Sequence, residues 1–241
     1  MNVSSSDSIY DIELGDLDGD GDLDVGVSTS SGTDGLKVYK NDGTGGSFTA
    51  IDVGNVNYPS LQLGDVDADG DWDLFSMDFS SPPNFFVFHN DGIGNFGSAT
   101  QTTMSVVNNR MILGDVNNDG AVDAISANNE TRPIDFFVND GTGVFTQSSL
   151  SPVSSGAQDA QLADIDADGD LDLAFTVDSD TAAEDGLYLY RNDGSGNFSS
   201  INVIPLTDPS GLQFADQDND GDLDIYVVEG GTSLRLLINQ P

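Results

Sequence analysis

Residues 67–75 read DADGDWDLF, four aspartates within seven positions. Like charges this close repel one another, so the crowding needs a reason. Nearly the same string returns as DGDGDLDVG (18–26), NNDGAVDAI (117–125), DADGDLDLA (166–174) and DNDGDLDIY (218–226). The five loops open at Asp16, Asp65, Asp115, Asp164 and Asp216, at intervals of 49, 50, 49 and 52 residues. A second motif follows each of the first four loops: NDGTGGSF from Asn41, NDGIGNF from Asn90, NDGTGVF from Asn139 and NDGSGNF from Asn192. The fifth copy reaches Asn239-Gln240-Pro241, where that motif would begin. Two motifs in fixed alternation identify a repeat protein.

Each repeat reads as four short strands. The first precedes the aspartate loop: IELGD, LQLGD, MILGD, LQLAD, LQFAD. The second follows it and is apolar on both faces: LDVGVS, WDLFSM, VDAISA, LDLAFT, LDIYVV. The third, such as LKVYKN or LYLYRN, is rich in aromatic and branched residues. The fourth is weaker and begins at Phe48, Phe96, Phe145 or Phe198. The NDG between the third and fourth is a hairpin signal, because its central residues need positive φ. Four antiparallel strands every 40–50 residues mark propeller blades. A sandwich has no need of five matching loops, and a linear β-solenoid has a shorter period.

The fold expected is therefore all-β. It is a five-bladed β-propeller of four-stranded antiparallel blades, a single domain over residues 1–241 made of five repeats. Met1-Asn2-Val3 falls where Ala50-Ile51-Asp52 falls one repeat later. The N-terminal strand is thus expected to pair in the last blade, closing the ring and removing two edges. A truncated larger ring, or an open array that assembles with copies of itself, is the alternative.

The residue types in the loops point to a cation. Positions 1, 3, 5 and 9 carry side-chain oxygens, and position 6 is glycine in all five copies. An EF-hand loop uses side chains at 1, 3 and 5, a glycine at 6 and a carbonyl at 7. Calcium is hard and takes six to eight oxygens, whereas magnesium wants a smaller octahedral shell. Zinc and copper favour histidine or thiolate, and the chain has one histidine and no cysteine. About five Ca2+ ions are expected, with ligands assigned by position. Loop one has Asp16, Asp18, Asp20 and Asp24 with the Asp22 carbonyl; loop two has Asp65, Asp67, Asp69 and Asp73 with the Asp71 carbonyl. Loop three has Asp115, Asn117, Asp119 and Asp123 with the Ala121 carbonyl. Loop four has Asp164, Asp166, Asp168 and Asp172 with the Asp170 carbonyl; loop five has Asp216, Asp218, Asp220 and Asp224 with the Asp222 carbonyl. Asn117 leaves loop three one charge short, so it is expected to bind most weakly. A set of Asx-turns, in which aspartate caps its own backbone, is the alternative.

The loops resemble the FG-GAP and VCBS-like calcium-binding repeats, known from integrin α-subunit propellers and from many secreted bacterial and marine proteins. Asp-x-Asp-x-Asp-Gly-x-x-Asp, with one Asn substitution, and Asn-Asp-Gly-x-Gly-x-Phe carry the resemblance. It covers essentially the whole chain. No Gly-Ala-Pro follows any loop, which favours the VCBS-like branch. Family propellers usually have seven blades, so five is a departure. Such blades also accompany polysaccharide lyases and lectins, which implies carbohydrate as a ligand.

Charge and composition narrow the partners. Six Lys and Arg against 42 Asp and Glu give a formal net charge of −36. Such a surface repels nucleic acid and anionic membranes, and no stretch is apolar enough for a membrane span. The absence of cysteine excludes disulfides. The first residues do not read as a signal peptide, and removal of a targeting segment is expected. Weak calcium sites that stay filled imply an extracellular or cell-surface location.

Binding is expected on the face opposite the calcium loops, around Tyr58, Arg110, Arg132 and residues 178–186, because variable loops on a rigid scaffold carry binding. Trp72 shares the slot of Leu23, Val122, Leu171 and Leu223 and is expected in the core. His89 shares that of Lys40, Val138 and Arg191, and no catalytic role is expected for it. No nucleophile–base pair or phosphate loop is present. The function expected is a non-catalytic binding or adhesion module for a glycan or a cell-surface protein, monomeric if the ring closes. An accessory or catalytic domain of a secreted polysaccharide-degrading enzyme is one alternative. A structural or self-assembling repeat unit is the other.

Overall fold

The computed structural model describes residues 8–29, 35–44, 46–54, 60–78, 82–104, 110–127, 134–150, 156–179 and 183–239. Regular structure among them is strand. The first repeat folds as β1 (Ile9–Gly15), β2 (Asp24–Thr29), β3 (Leu36–Asn41) and β4 (Phe48–Gly54). The second is β5 (Ser60–Gly64), β6 (Asp73–Met77), β7 (Asn84–Phe88) and β8 (Thr100–Thr103). The third is β9 (Arg110–Gly114), β10 (Asp123–Ala127), β11 (Ile134–Asn139) and β12 (Phe145–Leu150). The fourth is β13 (Ala157–Ala163), β14 (Asp172–Val177), β15 (Gly186–Asn192) and β16 (Phe198–Pro205). The fifth is β17 (Pro209–Ala215), β18 (Asp224–Glu229) and β19 (Ser233–Leu237).

Each repeat forms its own antiparallel sheet, with strands in chain order. The aspartate loop is the first hairpin of every sheet. It is closed by the same register pair: Gly15 with Asp24, Gly64 with Asp73, Gly114 with Asp123, Ala163 with Asp172 and Ala215 with Asp224. The NDG turn is the last hairpin, between β3 and β4 or β15 and β16, for example. Burial follows the apolar pattern. All of β6, β10 and β14 is buried, while no residue of β4, β8, β12 or β16 is. The second strand reads apolar throughout because both its faces are covered.

The chain divides into two compact units. One comprises Met1–Asn109 with Asn139–Phe145, the other Arg110–Val138 with Thr146–Pro241. In the first, Leu17, Val38, Leu61, Leu74 and Phe88 form the core. A second knot joins the rings of Phe75, Phe85 and Phe145, the last two edge-to-face at 4.9 Å. In the second unit, Ile125, Phe136, Leu173, Phe175 and Tyr188 form one core and Leu189, Leu206, Leu212 and Val227 another. Sheets within a unit pack closely because the first strand ends in a small residue. A Cβ on Gly15 would fall 2.5 Å from the Trp72 ring, and one on Gly114 would fall 2.8 Å from Leu162 and Leu171. Carboxylates, half-buried Asp11 and buried Asp159, tie the same junctions. The Leu61 N–H donates to Asp11 at 3.1 Å, and the Leu212 N–H donates to Asp159 at 3.0 Å.

Three expectations are corrected. Among the described residues the closed five-bladed ring is not formed: the five sheets are separate, none is closed, and the fifth has three strands with β19 at its edge. The strand expected to complete it, at Met1-Asn2-Val3, lies outside the described residues. A repeat specifies the hairpins within a sheet; closure needs a particular contact between the first and last copies, which periodicity does not encode. Trp72 is not core but 46% exposed. Its slot is the last loop position before the second strand, where the side chain lies over the neighbouring sheet's glycine. Phe96 does not open the second sheet's outer strand. It makes an isolated bridge with Asn90, and β8 begins at Thr100.

Candidate metal centres

The five loops share one backbone conformation. Position 4 is left-handed in every copy: Gly19, Ala68, Asn118, Ala167 and Asn219 have φ between 57 and 73°. Position 6 is more extreme, at 90–97° for Gly21, Gly70, Gly120, Gly169 and Gly221. The glycine at 6 was legible as a turn signal. The left-handed position 4 was not, because Ala68 and Ala167 carry no mark of it.

Side chains of the loop cap its own backbone. Asp16 accepts the N–H groups of Gly19 and Gly21 at 2.9 and 3.0 Å, and Asp164 those of Asp168 and Gly169 at 3.1 and 3.0 Å. At position 5, Asp20, Asp69, Asp119, Asp168 and Asp220 each accept the N–H two residues on, at 2.9–3.1 Å. The Asx-turns are thus present. They leave specific oxygens over: Asp18 Oδ1, Asp65 Oδ1, Asp67 Oδ1 and Asp166 Oδ1 are buried and accept no hydrogen bond.

Position 9 is a clamp. Asp24 accepts the N–H of Leu17 at 2.9 Å with one oxygen and that of Asn41 at 2.7 Å with the other. Asp73 holds Val66 and Asn90 in the same way at 2.9 and 2.7 Å, Asp172 holds Ile165 and Asn192 at 3.0 and 2.8 Å, and Asp224 holds Gln217 and Asn239, both at 2.9 Å. Asp123 accepts the Val116 N–H at 3.0 Å. All five are buried. Each oxygen keeps a second lone pair for a cation. Burial raises the carboxyls of Asp24 and Asp172 above the ordinary value and pushes Asp73 to about 6. Near neutral pH these groups strain the fold unless a positive charge meets them.

Ligand atoms converge where the spacing places them. Oxygens of Asp16, Asp18 and Asp24 lie within 4.8 Å of one another, as do those of Asp65, Asp67 and Asp69 and those of Asp164, Asp166 and Asp172. Asp67, Asp73 and His89 form a further group by the same measure. Sets made wholly of carboxylates, with buried unpartnered oxygens, fit a hard divalent cation. In loop five, burial and then Asp220 and Asp224 raise the carboxyl of Asp218. In loop three, Asn117 spends its oxygen on the Asp119 N–H at 2.9 Å. Position 7 turns its side chain away from the loop. Asp22, Asp71 and Asp170 sit where a Cβ on Gly43, Gly92 or Gly194 would fall, and Ala121 is buried instead.

The sequence assigns the NDG asparagines to turns alone, yet those of repeats two to four, and Asn239 at the same place in the fifth, also join one repeat to the one before it. The Asn90 amide donates to the Leu17 carbonyl at 2.8 Å, Asn139 to Val66 at 2.6 Å, Asn192 to Val116 at 2.6 Å and Asn239 to Ile165 at 3.3 Å. The accepting residue is position 2 of the preceding loop every time. The recurrence of Asn239 without its turn was the available signal.

A cleft of about 370 Å³ opens beside loops one and two, lined by Asp16, Leu23, Asp71, Trp72 and Asn90 among others. Of the residues expected to bind on the opposite face, Tyr58, Arg132 and 180–182 lie outside the described residues. Arg110 is described, and its guanidinium is 3.0 Å from Asp159, so it ties β9 to β13.

A family model for the FG-GAP-like repeat matches residues 16–76, 65–126, 115–175 and 164–227. No curated protein matches the chain by sequence. Among solved structures, the chain is similar to an Agrocybe aegerita lectin, described by its specific recognition of non-reducing terminal N-acetylglucosamine. The TM-score is 0.65 at 20% identity, over 95% of this chain and 66% of the lectin. The chain thus spans about two thirds of the lectin's length, and the likeness is one of fold.

Proposed function

Because the chain belongs to the FG-GAP-like repeat family, we propose that it is a calcium-stabilised, non-catalytic module that binds glycans outside the cell or at its surface. The observation that carries the calcium reading is the set of buried, unpartnered oxygens on Asp18, Asp65, Asp67 and Asp166. Bound calcium would supply the positive charge these loops lack. The loop carboxylates at positions 1, 3, 5 and 9, with Asn117 in loop three, would hold it. Extracellular calcium is high enough to keep weak sites filled.

The glycan reading draws on the likeness in fold to a lectin and on the cleft beside loops one and two. The half-exposed ring of Trp72 offers an apolar face to a pyranose, and Asp16 and Asp71 offer acceptors for its hydroxyls. Trp72→Leu places there the residue found at the same slot in three other repeats, keeping the contact with Gly15 and removing the aromatic face. A glycan array carrying terminal N-acetylglucosamine and other sugars, run with calcium and with chelator, tests the reading. Calcium-dependent binding that falls about tenfold in Trp72→Leu is expected. An array silent for the wild type in calcium overturns the glycan assignment. Calorimetry showing no ion bound overturns the calcium one.

A further inference from the structure

The residue just before each NDG asparagine, at the end of the third strand, is Lys40, His89, Val138, Arg191 or Ile238 in repeats one to five. In three repeats its side chain meets the loop. Lys40 Nζ is 3.3 Å from Asp18 Oδ2, Arg191 Nη2 is paired with Asp166 Oδ2, and His89 Nδ1 is 3.2 Å from Asp67 Oδ2. The partner is loop position 3 each time. The other oxygen of each carboxylate, Asp18 Oδ1, Asp166 Oδ1 or Asp67 Oδ1, is buried and accepts no hydrogen bond. One oxygen therefore faces a tethered base while the other is left for an ion. Where position 3 is the neutral Asn117, the slot holds the neutral Val138. Loop five is the exception, with Asp218 at position 3 and Ile238 in the slot. Lys40 also reaches the next repeat, donating to the Ile93 carbonyl at 2.8 Å.

We propose that Lys40 and Arg191 are built-in counter-ions that hold loops one and four together when calcium is absent and lower the calcium affinity of those loops. The proposal rests on the calcium reading above. Four carboxylates and one permanent cation leave loops one and four at −3, level with the three carboxylates of loop three. Loop five, with four carboxylates and no cation, binds more tightly than loops one and four. The chain then carries ion sites of at least two strengths from one repeated loop. Loops one and four release calcium before loop five and remain folded on their own cations.

The test is calorimetric calcium titration of the full chain beside the variant Lys40→Met/Arg191→Met. A unit charge ~5 Å from a divalent ion in a water-like medium alters affinity by roughly tenfold. Two ions are expected to bind about tenfold more tightly in the double variant. Its melting temperature in chelator is expected to fall below that of the wild type, with the gap closing in saturating calcium. Unchanged or weakened affinity at every site overturns the proposal. Should the double variant not fold, Ile238→Lys carries the test at a half-exposed position. One ion is then expected to bind about tenfold more weakly, and an unchanged isotherm overturns the proposal. A wild type that binds no calcium sinks the calcium reading and this proposal together. A wild type that binds calcium while the variants match it sinks this proposal alone.

Discussion

The side-chain amide of Asn90 donates a 2.8 Å hydrogen bond to the carbonyl of Leu17, 73 positions earlier in the chain. Both residues are buried, and the same amide reaches the Trp72 carbonyl at 3.1 Å. Asn90→Ala takes this donor from the buried Leu17 carbonyl and the part-buried Trp72 carbonyl and is expected to destabilise the protein by about 1–3 kcal/mol. Asn239→Ala, whose bond is 3.3 Å long in a half-exposed setting, is expected to cost less. Chemical denaturation of both variants measures the difference. Equal small losses would reduce these asparagines to turn formers.

Asp73 and Asp67 sit in one loop and are expected to separate in their effects. Asp73 accepts two backbone N–H groups, one on each oxygen. Asp73→Asn offers one acceptor for two donors, so a loss of about 1–3 kcal/mol is expected even in chelator. Asp67→Asn removes a carboxylate with a buried oxygen that nothing satisfies. It is expected to weaken calcium binding while leaving chelated stability unchanged or higher. Calorimetry paired with denaturation in chelator checks both halves.

Gly70 has a φ of 95°, and a Cβ there would meet nothing within 4 Å. Gly70→Ala is thus a test of backbone conformation alone, expected to cost about 1–2 kcal/mol. Gly15→Ala is different, because its cost arises from collision with Trp72. Combining it with Trp72→Leu should recover part of the loss, measured as a double-mutant cycle.

Stability of the chelated protein is expected to rise as pH falls from neutrality. The Asp73 carboxyl has its folded value raised to about 6 from 3.8. Its stabilising contribution is fully present below the unfolded value and is lost as pH rises through about 6. Asp24 and Asp172 shift in the same direction. The turn aspartates run the other way. Hydrogen bonds from Thr44, Asn95, Thr142 and Asn197 lower Asp42, Asp91, Asp140 and Asp193. Their contribution is present above 3.8 and is lost as pH falls through their folded values. A stability maximum near pH 4 is expected in chelator. Saturating calcium, which favours the ionised loops, should move the maximum toward neutral pH. Denaturation curves across pH with and without calcium give the answer; a chelated maximum at neutral pH would contradict it.

Much of this was readable along the chain. The five loops, their capping aspartates, the buried second strands and the NDG hairpins fall where the repeats place them, because hairpin geometry depends on residues a few positions apart. The family match over residues 16–227 accords with the same spacing. The readings that failed concern what a side chain meets across a junction. Trp72 shares a slot with leucines, and its exposure depends on the neighbouring sheet's Gly15. Phe96 matched its three counterparts, and the second sheet's outer strand nevertheless starts four residues later.

Local spacing is enough to determine the all-antiparallel repeats and to bring carboxylates of loops one, two and four together, since turn conformation and strand alternation act over a few residues. Three things were decided only in the folded structure: the asparagine bonds to the preceding loop, the pairing of Lys40 and Arg191 with position 3 of their own repeat's loop, and the three-stranded fifth sheet. Those contacts join residues from about 20 to more than 70 positions apart. A repeat carries the same letters whether or not a neighbour is there to meet them, so only the folded neighbour settles which of its groups are paired.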